Sequence, residues 1–435
     1  MKGLLIAAPS SGSGKTTLTL GLLRALRNRG VAVAPAKAGP DYIDPAFHAA
    51  ASGETCLNFD PWAMRLHFIE AAAGRHAAPD RLLVVEAMMG LFDGAADGRG
   101  SAADLAALLG LPVVLVVDCA KASHSVAALV SGFAGFRQDV RVVGVILNRV
   151  GSDRHEAMLR QALAGIAMPV VGAVRADSTL HLPERHLGLV QAGEHDGLQA
   201  FIERAAAVVE AGCDLDALLA LAGTVSQRAI LTPVSTLPPL GQRIAIARDL
   251  AFAFSYAHVL SGWREAGAEL TFFSPLADEA PAGDADAVYL PGGYPELHAG
   301  VLAAASTFRT GMLEAHSRGA RIFGECGGYM VLGDALIDAD GTVHPMLGLL
   351  PLVTSYAQRK RHLGYRRIRP VDASLFAAAM TAHEFHYASI VSEGDADRLF
   401  VAEDALGTAL GGVGLRRGAV AGSFMHLIDI ADAAP

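Results

Sequence analysis

Two α/β domains in tandem, each built on a parallel sheet, are predicted by three observations. At 435 residues the chain is too long for one ordinary core. It is 52% hydrophobic and only 18% charged, with 47 glycines, a profile that suits apolar strands buried on both faces. Short apolar runs alternate with helical stretches, and this pattern restarts near residue 243 after a proline-bearing segment.

The first run, residues 4–8, leads into Ser11-Gly12-Ser13-Gly14-Lys15-Thr16-Thr17 and then a helical period over 18–29. Strand, phosphate loop and helix is the order that bound polyphosphate requires. Small residues let successive N–H groups turn inward, Lys15 reaches the β/γ oxygens, and the Thr16 hydroxyl ligates Mg²⁺. Pro9 stands where the strict pattern has its first glycine.

Residues 31–35 read as the second strand, followed by a loop carrying Lys37, Asp41, Tyr42 and Asp44. Lys37 suits a phosphate or carboxylate, and the two aspartates offer hard oxygens to Mg²⁺ or its water shell. A loop beside the phosphate loop, at the carboxyl end of a strand, lies where open α/β sheets place ligands. The strand 82–86 ends in Glu86, the Walker B position for a second metal ligand. Strands 112–117, 142–147 and 169–174 follow, with helices expected over 102–109, 123–133, 155–163, 197–210 and 214–221. The stretch 182–189, with Arg185, suits either a substrate loop or a surface connection. A linker over 224–241 separates a first domain, 1–223, from a second, 242–435.

In the second half, strands are expected over 243–247, 269–273 and 287–290, with a helix over 252–266. Gly292 and Gly293 follow the strand 287–290, and exposed backbone N–H groups there suit an oxyanion hole. Residues 321–325 form a strand that runs into Cys326-Gly327-Gly328 and then a helix. This is a thiol version of the nucleophile elbow, with the helix N-terminus favouring thiolate. A lone cysteine is commonly a small buried hydrophobe, and Cys56, Cys119 and Cys213 fit that description. A thiolate needs a histidine, for which the sequence offers His383, His386 and His426, and spacing does not choose among them. His383 and His386 also have metal-ligand character, but no zinc-spaced cluster completes a site.

A net charge of −9 argues against nucleic acid as partner. No apolar run reaches the ~20 residues needed to cross a bilayer, so no membrane partner is expected. Four scattered cysteines and a start without signal-peptide anatomy suit a reducing cytoplasm. Arg359-Lys360-Arg361, continuing through Arg366, Arg367 and Arg369, is either an anion site or a solvated run.

Taken together, the phosphate loop, 37–45, Glu86 to Gly94, 184–189, Gly292 to Glu296, Glu325 to Gly328 and His383 to Tyr387 resemble the cobyrinate/hydrogenobyrinate a,c-diamide synthases, glutamine-dependent amidotransferases of corrin biosynthesis. The resemblance implies a dethiobiotin-synthetase-type P-loop domain followed by a class I, flavodoxin-like glutaminase domain. It places the catalytic histidine in Ser423-Phe424-Met425-His426, hence His426, with Cys326 as nucleophile and Gly292, Gly293 and Gly327 at the oxyanion. Triad glutaminases generally carry Glu two positions after this histidine; here it is Ile428, as in the corrin branch, and what orients His426 stays open. Ala87 and Ala382 replace glycines usual in the family. The opening residues and Ala36-Lys37-Ala38-Gly39 look most like enzymes of the aerobic pathway, which use hydrogenobyrinic acid.

The resemblance also implies ATP bound by residues 11–17 and Lys37, Mg²⁺ held by Thr16, Asp41 and Glu86, glutamine as ammonia source, and a corrin polycarboxylate substrate met by Tyr42, Asp44 and Arg185. A homodimer is carried as the expected assembly. Rival readings are the same reaction on cobyrinic acid or nickel-sirohydrochlorin, cobyric acid synthase, CTP synthase, and a partitioning-type P-loop switch ATPase. The last would place a lysine early in its loop, where this chain has Ser10.

Overall fold

A computed structural model describes residues 1–78, 80–180, 184–185, 188–226 and 236–432, without side chains for 184–185 and 188–189. The chain divides into two compact units, 1–234 and 235–435.

In the first unit, the strands β1 (Lys2–Ala7), β2 (Val33–Ala38), β3 (Leu57–Phe59), β4 (Leu82–Glu86), β5 (Val113–Asp118), β6 (Val142–Val150) and β7 (Val170–Arg175) lie in the order β3-β2-β4-β1-β5-β6-β7, all parallel. Such a sheet buries both faces, which is why its strands read as continuous apolar runs rather than alternating ones. The helices are α1 (Lys15–Asn28), α2 (Asp44–Ser52), α3 (Leu66–His76), α4 (Ala102–Leu109), α5 (Val126–Gly135), α6 (Asp153–Ala164), α7 (Leu198–Gly212) and α8 (Leu215–Leu221). Ser101 starts α4 with a capping box, its hydroxyl accepting from the Asp104 N–H while the Asp104 carboxylate accepts from the Ser101 N–H.

Three features depart from the sequence reading. β2 runs three residues past the expected strand end and carries Lys37 inside the sheet, because Lys37 pairs in register with Glu86 on one side and Asn58 on the other. The segment 46–76, to which no element was assigned, holds most of α2 together with β3 and α3. Gly223–Thr224 pairs antiparallel with β1, Val225 N–H donates to Met1 O and Ser226 N–H to Leu109 O, so residues 224–226 pack into the first unit.

The second unit contains a ten-stranded mixed sheet. Glu269–Phe273, Arg243–Ala247, Ala287–Leu290, Arg321–Glu325 and Val420–Ser423 form its parallel half in that order. Ala409–Arg417, Asp397–Asp404, His362–Pro370, Met380–His386 and Met425–Ile430 continue it antiparallel. Only Phe424 separates the fifth strand of this order from the tenth, so the sheet curls back toward its own middle. The antiparallel half was not foreseen, because strands such as Asp397–Asp404 and Ala409–Arg417 are largely exposed and lack a continuous apolar run. The expected helix over 252–266 begins only at Ala257, since the Asp249 carboxylate turns the chain at Ala251 and Phe254 bridges to Gly292.

Candidate functional sites

The first site opens where β1 gives way to α1, with β1 lying between β4 and β5 at a switch point of the sheet. Gly12 and Gly14 hold φ of 80° and 83°, backbone that an L side chain rarely adopts. The Asn148 amide donates to Ser13 O at 2.8 Å, and a Cβ at Gly14 would lie 2.3 Å from that same amide nitrogen. Asn148, at the end of β6, thus clamps the loop. The sequence named it only as a strand end.

Beneath the loop is a buried ionic cluster centred on Glu86. Its Oε1 accepts from the Thr16 hydroxyl at 2.7 Å and from Lys37 Nζ at 2.9 Å, while Oε2 meets His48 Nε2 at 2.6 Å. Lys37 also bonds the Asp44 carboxylate. Burial alone would raise the Glu86 carboxyl, but Lys37 and His48 hold it well below the usual carboxylate range. Burial alone would lower Lys37, and Asp44 and Glu86 instead raise it. Lys15 is lowered by burial.

The structure places the expected residues as follows. Lys37, expected to meet a phosphate or carboxylate, is buried between two carboxylates, and Asp44, expected on the substrate side, is turned inward onto it. Asp41 Oδ1 accepts from the Ile43 and Asp44 N–H groups, bracing the start of α2, and burial with Asp44 beside it pushes its carboxyl up to about 6. Tyr42 is half-buried in the same loop. His48 was missed, although it follows Asp44 by four residues and so shares its helix face. Thr16, Glu86 and Asp41 each carry hard oxygens of the kind that suits Mg²⁺, and those of Glu86 are met here by Thr16, Lys37 and His48. Residues 184–185 and 188–189 form a small antiparallel pair. The Arg185 side chain lies outside the described residues.

The second site centres on Cys326, whose φ of 48° and ψ of −104° mark the strained turn between the strand Arg321–Glu325 and the helix Gly327–Leu332. The glycines around it are demanded by close approach. A Cβ at Gly328 would lie 2.0 Å from Leu290 O, and one at Gly327 would lie 3.0 Å from the Gly293 nitrogen. A Cβ at Gly292 would lie 2.4 Å from His426 Cε1, 3.2 Å from His426 Nε2 and 3.3 Å from Cys326 Cβ. The structure therefore brings Gly292, Gly293, Gly327, Cys326 and His426 to one place. Cys326 N–H donates to Ser423 O at 2.8 Å, tying the elbow to the segment that carries His426.

The thiol is not the ready thiolate that a helix N-terminus suggests. Burial, with Glu296 close by, pushes it well above its ordinary value, and the Gly327 N–H offsets this only in part. Burial, with His383 and His386 adding to it, pushes His426 down to about 3, so the resting ring is neutral.

The other two histidines are placed differently. His383 pairs in register with His426 on the neighbouring strand and meets Tyr365 edge-on. His386 stacks on Phe424 and, with His362 and Glu384, offers ligand atoms within 4.8 Å of one another, a grouping that the spacing of His383 and His386 did not suggest. Its carboxylate is already paired with Arg366 at 2.6 Å. The basic run thereby divides: Arg366 turns to Glu384, while Arg369 reaches Glu403 at the surface.

With this geometry described, comparison with known proteins separates the two halves in the same way. Residues 4–190 match the CobQ/CobB/MinD/ParA nucleotide binding domain, and residues 243–433 match the CobB/CobQ-like glutamine amidotransferase domain. A hydrogenobyrinate a,c-diamide synthase from Sinorhizobium sp is 69% identical over 434 residues, covering 100% of both chains. The chain belongs to the hydrogenobyrinate a,c-diamide synthase family. Further relatives of the same name include proteins from Rhizobium meliloti (strain 1021), 68% identical over 99% of this chain and 100% of that one, and from Mesorhizobium japonicum, 52% identical over 99% of each. A solved glutamine amidotransferase from Thermotoga maritima, 17% identical over 42% of this chain and 75% of that chain with a TM-score of 0.29, is too distant to add to the family assignment. Among the described residues no helix is long and apolar enough to cross a membrane.

Proposed function

We propose that this family member converts the a and c side-chain carboxylates of hydrogenobyrinic acid to amides, using ATP and ammonia released from glutamine. The observation that carries the reading is the co-occurrence, in one chain 69% identical to a hydrogenobyrinate a,c-diamide synthase over its full length, of a phosphate loop clamped by Asn148 and a strained cysteine near a neutral histidine.

In the second unit, His426 accepts the Cys326 proton as the sulfur attacks the glutamine amide carbon. The proton then passes to the departing nitrogen, ammonia leaves, and water resolves the thioester to glutamate. Backbone N–H groups of Gly293 and Gly327 face the developing oxyanion. In the first unit, a corrin carboxylate attacks the γ-phosphate of ATP to give an acyl phosphate, and ammonia displaces phosphate to leave the amide. Phosphorylation makes the carboxyl carbon electrophilic and supplies a leaving group better than hydroxide.

Lys15 neutralises charge growing on the transferred group, while Lys37 acts indirectly by fixing Glu86 and Asp44. Thr16, Glu86 and Asp41 would hold Mg²⁺, which screens the phosphate charge when bound. A homodimer and a cytoplasmic location stay expectations from the sequence.

Mass spectrometry of hydrogenobyrinic acid after incubation with the protein, MgATP and glutamine tests this reading, run beside Cys326→Ala and Glu86→Gln. Two amidations by the wild type, Cys326→Ala rescued by ammonia alone, and Glu86→Gln retaining glutamine hydrolysis while losing amide formation are expected. An unchanged corrin despite ATP and glutamine turnover would move the acceptor to cobyrinic acid or nickel-sirohydrochlorin.

A further inference from the structure

The position two residues beyond His426, where an acid would orient its ring, is Ile428, buried and apolar. A different acid reaches the ring. Glu325, directly before the nucleophile, lies with Oε2 at 3.7 Å from His426 Nδ1, and both side chains are almost wholly buried. This carboxylate is held from two further directions: Tyr289 Oη donates to Oε2 at 2.7 Å, and Leu427 N–H donates to Oε1 at 3.1 Å. Because Leu427 is the residue after His426, the second bond fixes the acid relative to the histidine's own backbone. The ring's Cε1 and Nε2 adjoin Gly292, and Gly292 in turn adjoins Cys326 Cβ. One edge of the imidazole therefore meets an acid, and Gly292 links the other to the nucleophile's residue, whose thiol lies 3.9 Å from Phe385 O.

We propose that Glu325 is the positioning residue for His426, holding its proton on Nδ1 so that the Nε2 lone pair faces the Cys326 thiol, and balancing the ring's positive charge once that proton arrives. The inference rests on reading Cys326 and His426 as the glutaminase pair. At 3.7 Å the resting contact is electrostatic, and it shortens to a hydrogen bond when the imidazolium forms. The atoms balance: the thiol proton moves to Nε2, the sulfur forms its bond to the amide carbon, and the Nε2 proton leaves with ammonia. Glu325 keeps no proton from the cycle, like the acid of a serine-protease triad.

The other charged groups facing this centre work against the imidazolium or elsewhere. His383 and His386 both disfavour a charge on His426, and Glu296 and Glu384 act on Cys326. Burial pushes the Glu325 carboxyl up to about 8, against the bonds from Tyr289 and Leu427. The ionised acid that the role requires therefore forms as pH rises through that value.

The test is the Glu325→Gln variant, which keeps volume and one acceptor oxygen but presents an amide to Nδ1. Glutamine hydrolysis would be followed from pH 6 to 10, together with amidation driven by free ammonia. The expected result is a fall in kcat of roughly 10²- to 10⁴-fold with little change in KM, loss of the limb that rises near pH 8 in the wild type, and unchanged ammonia-driven synthesis. Wild-type kcat and an unaltered pH profile in Glu325→Gln would overturn the inference.

Nitrogen NMR of His426 in the wild type decides the matter without any variant at Glu325. Above pH 8 the proton is expected on Nδ1, and a proton on Nε2 would overturn the inference. If Cys326→Ala still hydrolysed glutamine, the glutaminase reading itself would fail, a result distinct from an active Glu325→Gln beside an inactive Cys326→Ala.

Discussion

Replacing Gly292 by alanine should separate the two half-reactions. The new methyl would sit 2.4 Å from His426 Cε1 and 3.3 Å from Cys326 Cβ. Carbon atoms in contact settle at about 3.5–4.0 Å, so the ring must withdraw by about 1 Å or more. It has little room to do so, because His426 is fully buried, with Glu325 at its other edge. A displacement of about 1 Å in a reacting group costs on the order of 10²-fold in rate, and overpacking of this kind costs about 1–3 kcal/mol of stability. The assay is glutamate release from glutamine, set against amidation of the corrin with ammonium chloride. Hydrolysis should fall about 10²-fold while the ammonia-driven reaction stays within about twofold. Undiminished hydrolysis by Gly292→Ala would refute the placement of His426 beside Cys326.

Lys37→Met removes the cation between two buried carboxylates, and stranding charges in this way costs about 3–5 kcal/mol. Calorimetry should show the first unit's transition falling by on the order of 10 °C, and an unchanged melt would mean that the cluster around Glu86 is not held by Lys37. Burial alone would raise the Glu384 carboxyl, but the bond from His386 and the nearby Arg366 hold it down to about 2. A carboxyl so depressed stabilises the fold above its ordinary value near 4.5, and that contribution, on the order of 3 kcal/mol, is lost as pH falls from there toward 2. Urea midpoints at pH 6 and pH 3 should therefore differ less for Glu384→Gln than for the wild type. Equal differences would remove Glu384 from the acid response.

How much was legible depended on how local each signal was. The phosphate loop and the elbow at Cys326 announce themselves because glycines, a nucleophile or cation, and an adjoining strand and helix fall within some ten residues. Lys37 was visible as an unusual residue, but its partners were not, since they depend on β2 continuing three residues further and setting it opposite Glu86. His48 gave almost no signal, being one histidine in an alanine-rich helix. Glu325 was quoted as part of a motif, yet its partners Tyr289 and Leu427 lie 36 and 102 residues away, beyond anything that spacing can reveal. The antiparallel half of the second sheet escaped because exposed strands such as Ala409–Arg417 carry no apolar run to mark them.

The one-residue break at Phe424 has a practical consequence. Val420–Ser423 aligns with the strand that carries Glu325, and Met425–Ile430 aligns with the strand that carries His383, so a single residue switches the chain between the middle and one end of the sheet order. Ser423 O receives the nucleophile's N–H before the switch, and Leu427 N–H grips Glu325 after it. Nucleophile, base and acid are thus fastened across a span of five residues, with the glycine floor at 292–293 beneath. A protein engineer wishing to transplant ammonia release to another scaffold would need to carry three short peptides in fixed relation, and could leave the rest of the sheet to be redesigned.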